Sequence, residues 1–226
     1  LPIPEPEKIT LNKEQEAVFN HIVKHNDESQ HYIFGVTGSG KTYLYIALAL
    51  HWARQHGQVL LLVPEIALSI QMLDKLRAFF PHDEIGCLHS GLSARERQIT
   101  WHRAASGKIR LLLGTRSAIF TPLPHLKAII MDEEHDLSYK QMSQIRYSTR
   151  GVAFQRVQAQ NAKLILGSAT PSLACMRLIQ EKRIQFHQLQ RRYNQGCPPK
   201  VTMVNTKSEK LSVGFSVAAL ELLDQT

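Results

Sequence analysis

The stretch His31-Tyr-Ile-Phe-Gly-Val-Thr-Gly-Ser-Gly-Lys-Thr42 joins a short β-rich run to a glycine-rich loop. From Gly35 to Thr42 the loop fits the pattern G-x-x-x-x-G-K-[ST] without a mismatch. Backbone N–H groups of such a loop, together with the positive end of the following helix, form a concave site for phosphate groups. The stretch therefore predicts a strand, a phosphate-binding loop and a helix, and with them a site for a nucleoside triphosphate.

Particular residues of this loop are predicted to contact ATP and its metal ion. Lys41 is expected to reach the β- and γ-phosphates, and the Thr42 hydroxyl is expected to ligate Mg²⁺. The other predicted nucleotide contacts come from Gly35, Gly38, Ser39 and Gly40. A glycine-rich turn that only joins a strand to a helix is the alternative, and the complete eight-residue pattern argues against it.

The composition restricts the class of protein. With 226 residues, of which 43% are hydrophobic, the chain can bury a core, and its net charge of +8 favours a polyanionic partner. A protein that is merely basic would show the same charge. Neither the three cysteines nor the histidines show a spacing that indicates a zinc site, and no disulfide framework is predicted. Without a signal sequence or a bilayer-length apolar run, a cytoplasmic protein with no membrane partner is expected.

Short apolar runs alternate with helical stretches along most of the chain. Strands are predicted at 31–34, 59–63, 85–88, 109–113, 128–131 and 164–166, and helices at 12–25, 42–56, 66–79, 93–106, 149–160 and 172–182. This alternation predicts an α/β fold with a doubly wound, mainly parallel sheet. The loops at the carboxyl ends of its strands are expected to build the site.

A second motif, Asp132-Glu-Glu-His135, directly follows the predicted strand 128–131. Asp132 is expected to hold Mg²⁺, and Glu133 to orient and deprotonate the attacking water. His135 is expected to link this acidic string to neighbouring hydroxyl groups. An acidic surface loop is the alternative for the string taken alone.

A third motif, Gly167-Ser-Ala-Thr-Pro-Ser172, follows the last predicted strand. Its hydroxyls on Ser168 and Thr170 are predicted to hydrogen-bond towards the acidic string and to report the nucleotide state. The same residues also suit an ordinary helix-entry turn, with Pro171 at the first helical position. Both interpretations can hold together.

These three motifs, in this order, resemble the first RecA-like lobe of superfamily 2 helicases, a P-loop NTPase fold. The strings between them narrow the resemblance: Leu11-Asn-Lys-Glu-Gln15, Leu62-Val-Pro-Glu-Ile-Ala-Leu68, Leu88-His-Ser-Gly-Leu-Ser93, Gly114-Thr-Arg-Ser-Ala-Ile-Phe120 and Asp132-Glu-Glu-His-Asp-Leu-Ser-Tyr-Lys-Gln141. From about residue 8 to 226 the chain is similar to the bacterial replication-restart helicases of the PriA (primosomal protein N′) family. The last string is the most discriminating.

The resemblance implies a 3′ to 5′ DNA helicase that uses ATP and Mg²⁺, unwinds DNA at stalled forks and D-loops, and promotes primosome assembly. It implies single-stranded and forked DNA, primosome proteins and single-strand-binding protein as partners, and a zinc module outside this sequence. Another superfamily 2 DNA translocase, or a nucleotide-dependent docking module without turnover, is the alternative. Residues 1–10 are expected to be a linker, 11–182 the ATP-binding lobe, and 183–226 a connection to a second lobe beyond this piece. This lobe alone is expected to hydrolyse ATP weakly or not at all.

The resemblance also implies roles for residues outside the three motifs. Gln15 corresponds to the reader of the nucleotide base. Thr115, Arg116 and Ser117 correspond to contacts with the single-strand backbone. In the stretch 139–147, Tyr139 and Tyr147 are expected to stack on bases, and Lys140 and Arg146 to hold phosphates. A plain surface loop is the alternative there, since Ile145 and Thr149-Arg150-Gly151 depart from the family pattern.

Overall fold

The computed structural model describes residues 9–25, 27–36, 38–64, 66–143, 145–190, 211–212, 215–216 and 220. The chain divides into two compact units, residues 1–194 and 195–226. In the second unit, β10 (Leu211–Ser212) pairs with β11 (Phe215–Ser216) in antiparallel orientation. Most of the rest of 191–226 lies outside the described residues.

All the other helices and strands whose bounds the described residues define belong to the first unit. Its helices are α1 (Lys13–Lys24), α2 (Lys41–Arg54), α3 (Ile66–Arg77), α4 (Ala94–Ala105), α5 (Thr149–Gln160) and α6 (Leu173–Gln180), with 3₁₀ turns at Arg116–Phe120 and Leu137–Tyr139. Its strands are β1 (Gln30–Gly35), β2 (Gln58–Leu62), β3 (Ile85–Leu88), β4 (Leu111–Gly114), β5 (Leu126–Met131), β6 (Lys140–Gln141), β7 (Tyr147–Ser148), β8 (Lys163–Ser168) and β9 (Gln185–Leu189).

Seven of these strands form one parallel sheet in the order β3-β4-β2-β5-β8-β1-β9. The predicted doubly wound parallel sheet is thereby confirmed. In its register Phe34 pairs with Ser168, and Met131 with Leu166. The phosphate loop, the acidic string and the Gly167–Ser172 turn therefore leave neighbouring strands at the same edge.

Alternate residues of the central strands bury against opposite helical layers. Ile33, Leu61 and Ile130 belong to a core cluster with the buried face of α2. Their neighbours Tyr32, Leu60 and Ile129 belong to a second cluster on the other face of the sheet. Because successive side chains of a strand point to opposite faces, strands covered on both sides are apolar throughout. This is why β2 and β5 are easy to recognise in the sequence.

The edge strand β9 lies beyond the predicted end of the lobe at residue 182. It pairs in parallel with β1, yet along its sequence Gln-Phe-His-Gln-Leu only Leu189 is buried. An edge strand covered on so little of its surface carries no continuous apolar run, so the pattern that identified the central strands could not identify it. Within the described part of the chain, no helix has the length and apolar character needed to cross a membrane.

Candidate nucleotide-binding site

The phosphate loop owes its shape to two glycines in left-handed backbone conformation. Gly38 and Gly40 both have φ of 80°, where a side chain would be strained. The Ser39 N–H donates to the Val36 carbonyl at 3.0 Å, which closes the turn, and α2 begins immediately after Gly40. The Ser39 hydroxyl is buried without a hydrogen-bond partner in the protein. A buried polar atom of this kind suits a loop that takes a polar ligand.

Lys41 lies between the loop and the acidic string. Its side chain is almost fully buried, and its Nζ donates to the Gly35 carbonyl at 2.7 Å. The same Nζ is 3.8 Å from Oε1 of Glu133. The ammonium group thus lies between the phosphate loop and the acidic string, where the sequence predicts the phosphates to bind. Thr42 follows in the first turn of α2.

Gln15 braces the phosphate loop from behind. It is fully buried, and its Nε2 donates to the carbonyls of Ser39 and Gly40 at 3.2 and 3.1 Å. Its Oε1 accepts from the Asn12 N–H at 2.9 Å in the capping box that starts α1. Both amide hydrogens are therefore used by the protein itself. The predicted role in reading the nucleotide base stays a prediction, and the observed role is support of the loop.

Asp132 and Glu133 stand side by side at the end of β5. Asp132 Oδ1 accepts from the Tyr45 hydroxyl at 3.1 Å. Burial and the neighbouring Glu133 charge raise the pKa of Asp132 to about 6. Glu133 has φ of 45°, an unfavourable value for a residue with a side chain, and such strain is concentrated at functional sites. Two crowded carboxylates, one of them desolvated, form a donor set that a divalent cation would relieve.

The Gly167–Ser172 turn is tied to the acidic string. The Ser168 hydroxyl is 3.1 Å from Oε2 of Glu133 and 2.7 Å from Nδ1 of His135. Oγ1 of Thr170 is 3.4 Å from the His135 ring nitrogens. The hydrogen bonds that the sequence predicts between the two motifs are present, and the role of the turn in reporting the nucleotide state stays a prediction.

A buried ion pair next to this site has no counterpart in the sequence-based predictions. The Glu134 carboxylate accepts from Arg150 at 3.2 Å, from the Ser172 N–H at 2.8 Å and from the Tyr32 hydroxyl at 3.2 Å. It joins the acidic string to the starts of α5 and α6. The sequence did contain a signal for this pair. Glu134 is the third carboxylate after the buried strand β5, and a charge buried in that position requires a partner. Tyr45, which shares the Lys41 face of α2 one turn later, was likewise missed.

Tyr139 is misassigned by the sequence. It is only 3% exposed, and its hydroxyl donates to the Asp132 carbonyl at 2.8 Å, so it cannot stack on a base. It supports the backbone of the acidic string instead. Tyr147 is half-buried and packs edge-on against Phe120, which is 51% exposed, with ring centroids 5.0 Å apart. The aromatic pair at this surface is therefore Phe120 with Tyr147, and Phe120 was not singled out by its sequence.

The predicted DNA-contacting residues gather at the same edge of the sheet. Arg116 donates through Nη1 to the carbonyls of Ser138 and Lys140 at 3.1 and 2.9 Å. Thr115 is partly buried, and Ser117, Lys140 and Arg146 are exposed. Arg116 thus links the 3₁₀ turn Arg116–Phe120 to the segment that carries Tyr139. Contacts of these residues with DNA stay a prediction.

Comparison with known proteins places this site in a family. Residues 12–178 match the family model described as DEAD/DEAH box helicase. The chain is 38% identical over 214 residues to Replication restart protein PriA of Haemophilus influenzae, which covers 95% of this chain and 29% of that protein. It is 42% identical over 209 residues to the Chlamydia trachomatis protein of the same name, covering 90% of this chain and 28% of that one. The chain thus spans under a third of the curated relatives it matches.

Solved structures agree on the fold. RecG bound to a three-way DNA junction aligns with a TM-score of 0.60 at 19% identity, over 88% of this chain and 25% of that one. A DEAD box protein from Methanococcus jannaschii aligns with a TM-score of 0.56 at 19% identity, over 77% of this chain and 48% of that one. The resemblance to PriA predicted from the motifs is confirmed, and the chain belongs to the DEAD/DEAH box helicase family.

Proposed function

We propose that this chain is the ATP-binding lobe of a 3′ to 5′ DNA helicase that unwinds stalled forks and D-loops and promotes primosome assembly in replication restart. The observation that carries the proposal is the meeting of Lys41 and Glu133, 3.8 Å apart, at the mouth of the phosphate loop. A cation after β1 and a carboxylate after β5, on the two sides of β8, suit phosphoryl transfer to water. The similarity to PriA proteins supplies the biological setting.

The chain's own residues divide the chemistry between phosphate, metal and water. Lys41, which donates to the Gly35 carbonyl in this structure, would bind the phosphates, while Thr42 and Asp132 would hold Mg²⁺, which would neutralise phosphate charge. Glu133 accepts the proton of the attacking water. Its carboxylate is oriented by the Ser168 hydroxyl, and His135 holds that hydroxyl in turn.

The proposed DNA surface lies beside this chemistry. The ring of Phe120 is half-exposed against Tyr147, and the charged groups of Lys140 and Arg146 reach solvent. Aromatic faces stack on bases and cations hold phosphates, which is the combination that single-stranded DNA requires. We extend the proposal to primosome proteins and single-strand-binding protein as partners, to zinc bound in another part of the protein, and to a cytoplasmic location. These parts rest on similarity to the PriA relatives.

The proposed boundaries combine the family resemblance with one observation on the sheet, the position of β9. Residues 1–10 are assigned as a linker and the lobe begins at residue 11, while β9 extends the lobe past the predicted end at 182. Residues after β9 are assigned to the connection with a second lobe. That second lobe would supply the arginine that stabilises transferring charge, a contribution of about 10³ to 10⁵ in rate in well-studied NTPases.

ATP binding and turnover by the 226-residue chain and by its full-length parent, each with and without forked DNA, test the proposal. We expect binding without turnover by the chain and fork-stimulated turnover by the parent. Lys41→Ala should abolish tight ATP binding, whereas Glu133→Gln in the parent should keep binding and lose hydrolysis. Exposed Lys75→Ala and Glu16→Gln are matched controls that should behave like the unmodified protein.

Three results would count against parts of the proposal. DNA-independent turnover by the chain alone would overturn the two-lobe mechanism. Equal loss of ATP binding in Lys41→Ala and Glu133→Gln would refute the separate roles of the two residues. ATP binding without fork-stimulated turnover in the parent would favour the alternative, a docking module that uses nucleotide state without hydrolysis.

A further inference from the structure

A histidine cluster lies at the edge of the sheet opposite the phosphate loop, where β1 begins. Its members come from four places in the chain: His21 and His25 at the end of α1, Glu28 in the turn that follows, His31 in β1 and His187 in β9. We predicted no metal-like pair from the spacing of the histidines. In the structure His21 and His25, four positions apart, nevertheless lie one helical turn apart with stacked rings.

Three of these side chains converge as a set of metal ligands would. The ligand atoms of His21, His25 and Glu28 all lie within 4.8 Å of one another. Nε2 of His21 is 2.6 Å from Oε2 of Glu28, and the rings of His21 and His25 stack with centroids 4.2 Å apart. Tetrahedral zinc ligands at bond lengths of about 2.0 to 2.2 Å lie about 3.3 Å apart.

The surrounding backbone fixes the orientation of this set. Nδ1 of His25 is 2.9 Å from the His21 carbonyl and donates to it, so Nε2 is the nitrogen of the neutral ring that could bind a metal ion. Such a hydrogen bond from the second ring nitrogen is typical of metal-binding histidines. Nζ of Lys163 donates to the carbonyls of His25 and Glu28 at 2.8 and 2.9 Å and thereby holds the turn.

Two further histidines support the set from inside the protein. His31 is fully buried, with Nε2 at 3.1 Å from the Glu28 carbonyl and Nδ1 at 3.2 Å from Nε2 of His187. The His187 ring packs against His21 with centroids 4.9 Å apart. Burial lowers the pKa of His31 to about 3 and that of His187 to about 4. The positive charge of Lys163, which lies nearby, would repel a bound metal ion.

We propose that His21, His25 and Glu28 bind one divalent transition-metal ion of zinc's ligand preference, with water in the remaining position. Imidazole nitrogen and carboxylate oxygen are ligands that Zn²⁺ accepts, and three protein ligands with one open position are an established arrangement for it. The ion would join the end of α1 to the start of β1. Gln15, which supports the phosphate loop, lies near the other end of α1. The ion and this supporting residue would therefore be connected by one helix.

The test uses Zn²⁺ alone as the probe, titrated calorimetrically into the full, untagged chain after treatment with a chelator and without nucleotide. We expect one equivalent to bind, and His25→Gln to weaken binding at least about 100-fold, since loss of a supporting residue alone costs about 10- to 100-fold. His25 is exposed, so its replacement is expected to leave the fold intact. His102→Gln changes an exposed histidine outside the cluster and should bind Zn²⁺ like the unmodified chain.

A second measurement needs no variant. Ring resonances of His21 and His25 should shift in histidine-selective NMR spectra on addition of one equivalent of Zn²⁺, while that of His102 stays in place. Absence of binding, unchanged affinity in His25→Gln, or shifts spread evenly over the exposed histidines would each overturn the proposal. The cluster would then be an ion pair between His21 and Glu28, surrounded by packed imidazole rings.

Discussion

Replacing Asp132 by asparagine should stabilise the nucleotide-free protein while removing its metal site. Folding raises the pKa of Asp132 from an ordinary 3.8 to about 6, because burial and Glu133 disfavour the charged carboxylate. A carboxyl group with a raised pKa destabilises the fold only when it is ionised. At and above about pH 7 the cost from this difference is about 3 kcal/mol, and it disappears as the pH falls from 6 towards 4. The asparagine keeps an oxygen that can accept from the Tyr45 hydroxyl.

We therefore expect Asp132→Asn to raise the free energy of unfolding by about 1 to 3 kcal/mol at pH 7.5, or the melting temperature by a few degrees. At pH 4 the gain should shrink below about 1 kcal/mol. Urea denaturation followed by circular dichroism at both pH values measures this difference. Asp74→Asn, at an exposed carboxylate, is the matched control and should change the unfolding free energy little.

Two outcomes would refute this reasoning. One is an Asp132→Asn protein that is no more stable than the unmodified chain at pH 7.5. The other is a gain that stays the same at pH 4, since a protonated aspartic acid has no charge left to remove. Saturating ATP with Mg²⁺ should reverse the ranking, because only the unmodified protein keeps the carboxylate predicted to hold the ion.

Four further substitutions probe the loop, the sheet, helix α5 and the DNA surface. Gln15→Ala removes two hydrogen bonds to the phosphate loop and should lower the free energy of unfolding by about 1 to 3 kcal/mol in urea titrations, with weaker ATP binding by calorimetry. Gly167→Ala should destabilise by about 1 to 3 kcal/mol, because its Cβ would collide with the buried Tyr45 hydroxyl. Gly151→Ala in α5 should instead stabilise by up to about 1 kcal/mol, because its Cβ would meet only Cβ of Ser148 at 3.9 Å, an ordinary contact. Tyr147→Ala in the full-length parent should reduce DNA-stimulated turnover more than ATP affinity, and the reverse would place this tyrosine in the nucleotide site.

The parts of this molecule that the sequence predicted well are those whose cause is local. The phosphate loop follows from glycines whose backbone angles side chains would strain, and these glycines are visible as letters in the chain. The central strands β2 and β5 follow from burial on both faces, which requires continuous apolar runs. Because the acidic string directly follows β5, its position at the carboxyl ends of the strands could be predicted as well.

The parts that the sequence missed depend on contacts between distant residues. Tyr139 reads like a surface aromatic among polar neighbours, but its hydroxyl finds the backbone of Asp132 and its ring is buried. Glu134 is paired by Arg150, sixteen positions later, and no local pattern connects the two. His187 joins the histidine cluster only because β9 pairs with β1. Each of these depends on strand order, which periodicity does not determine.

Three consecutive residues, 138 to 140, connect the predicted DNA surface with the predicted metal site. A helicase has to coordinate DNA binding with ATP hydrolysis, so a connection between these two sites matters for the proposed function. The carbonyls on either side of Tyr139 accept from Arg116, a predicted DNA contact, while the Tyr139 hydroxyl donates to the backbone of Asp132, a predicted metal ligand. If a strand of DNA displaced Arg116, the movement would pass through one side chain, that of Tyr139, to the residue that carries the Asp132 carboxylate. Because this connection is short, a movement at the proposed DNA surface would be transmitted to the proposed metal site with little loss. Tyr139 would therefore couple the two sites.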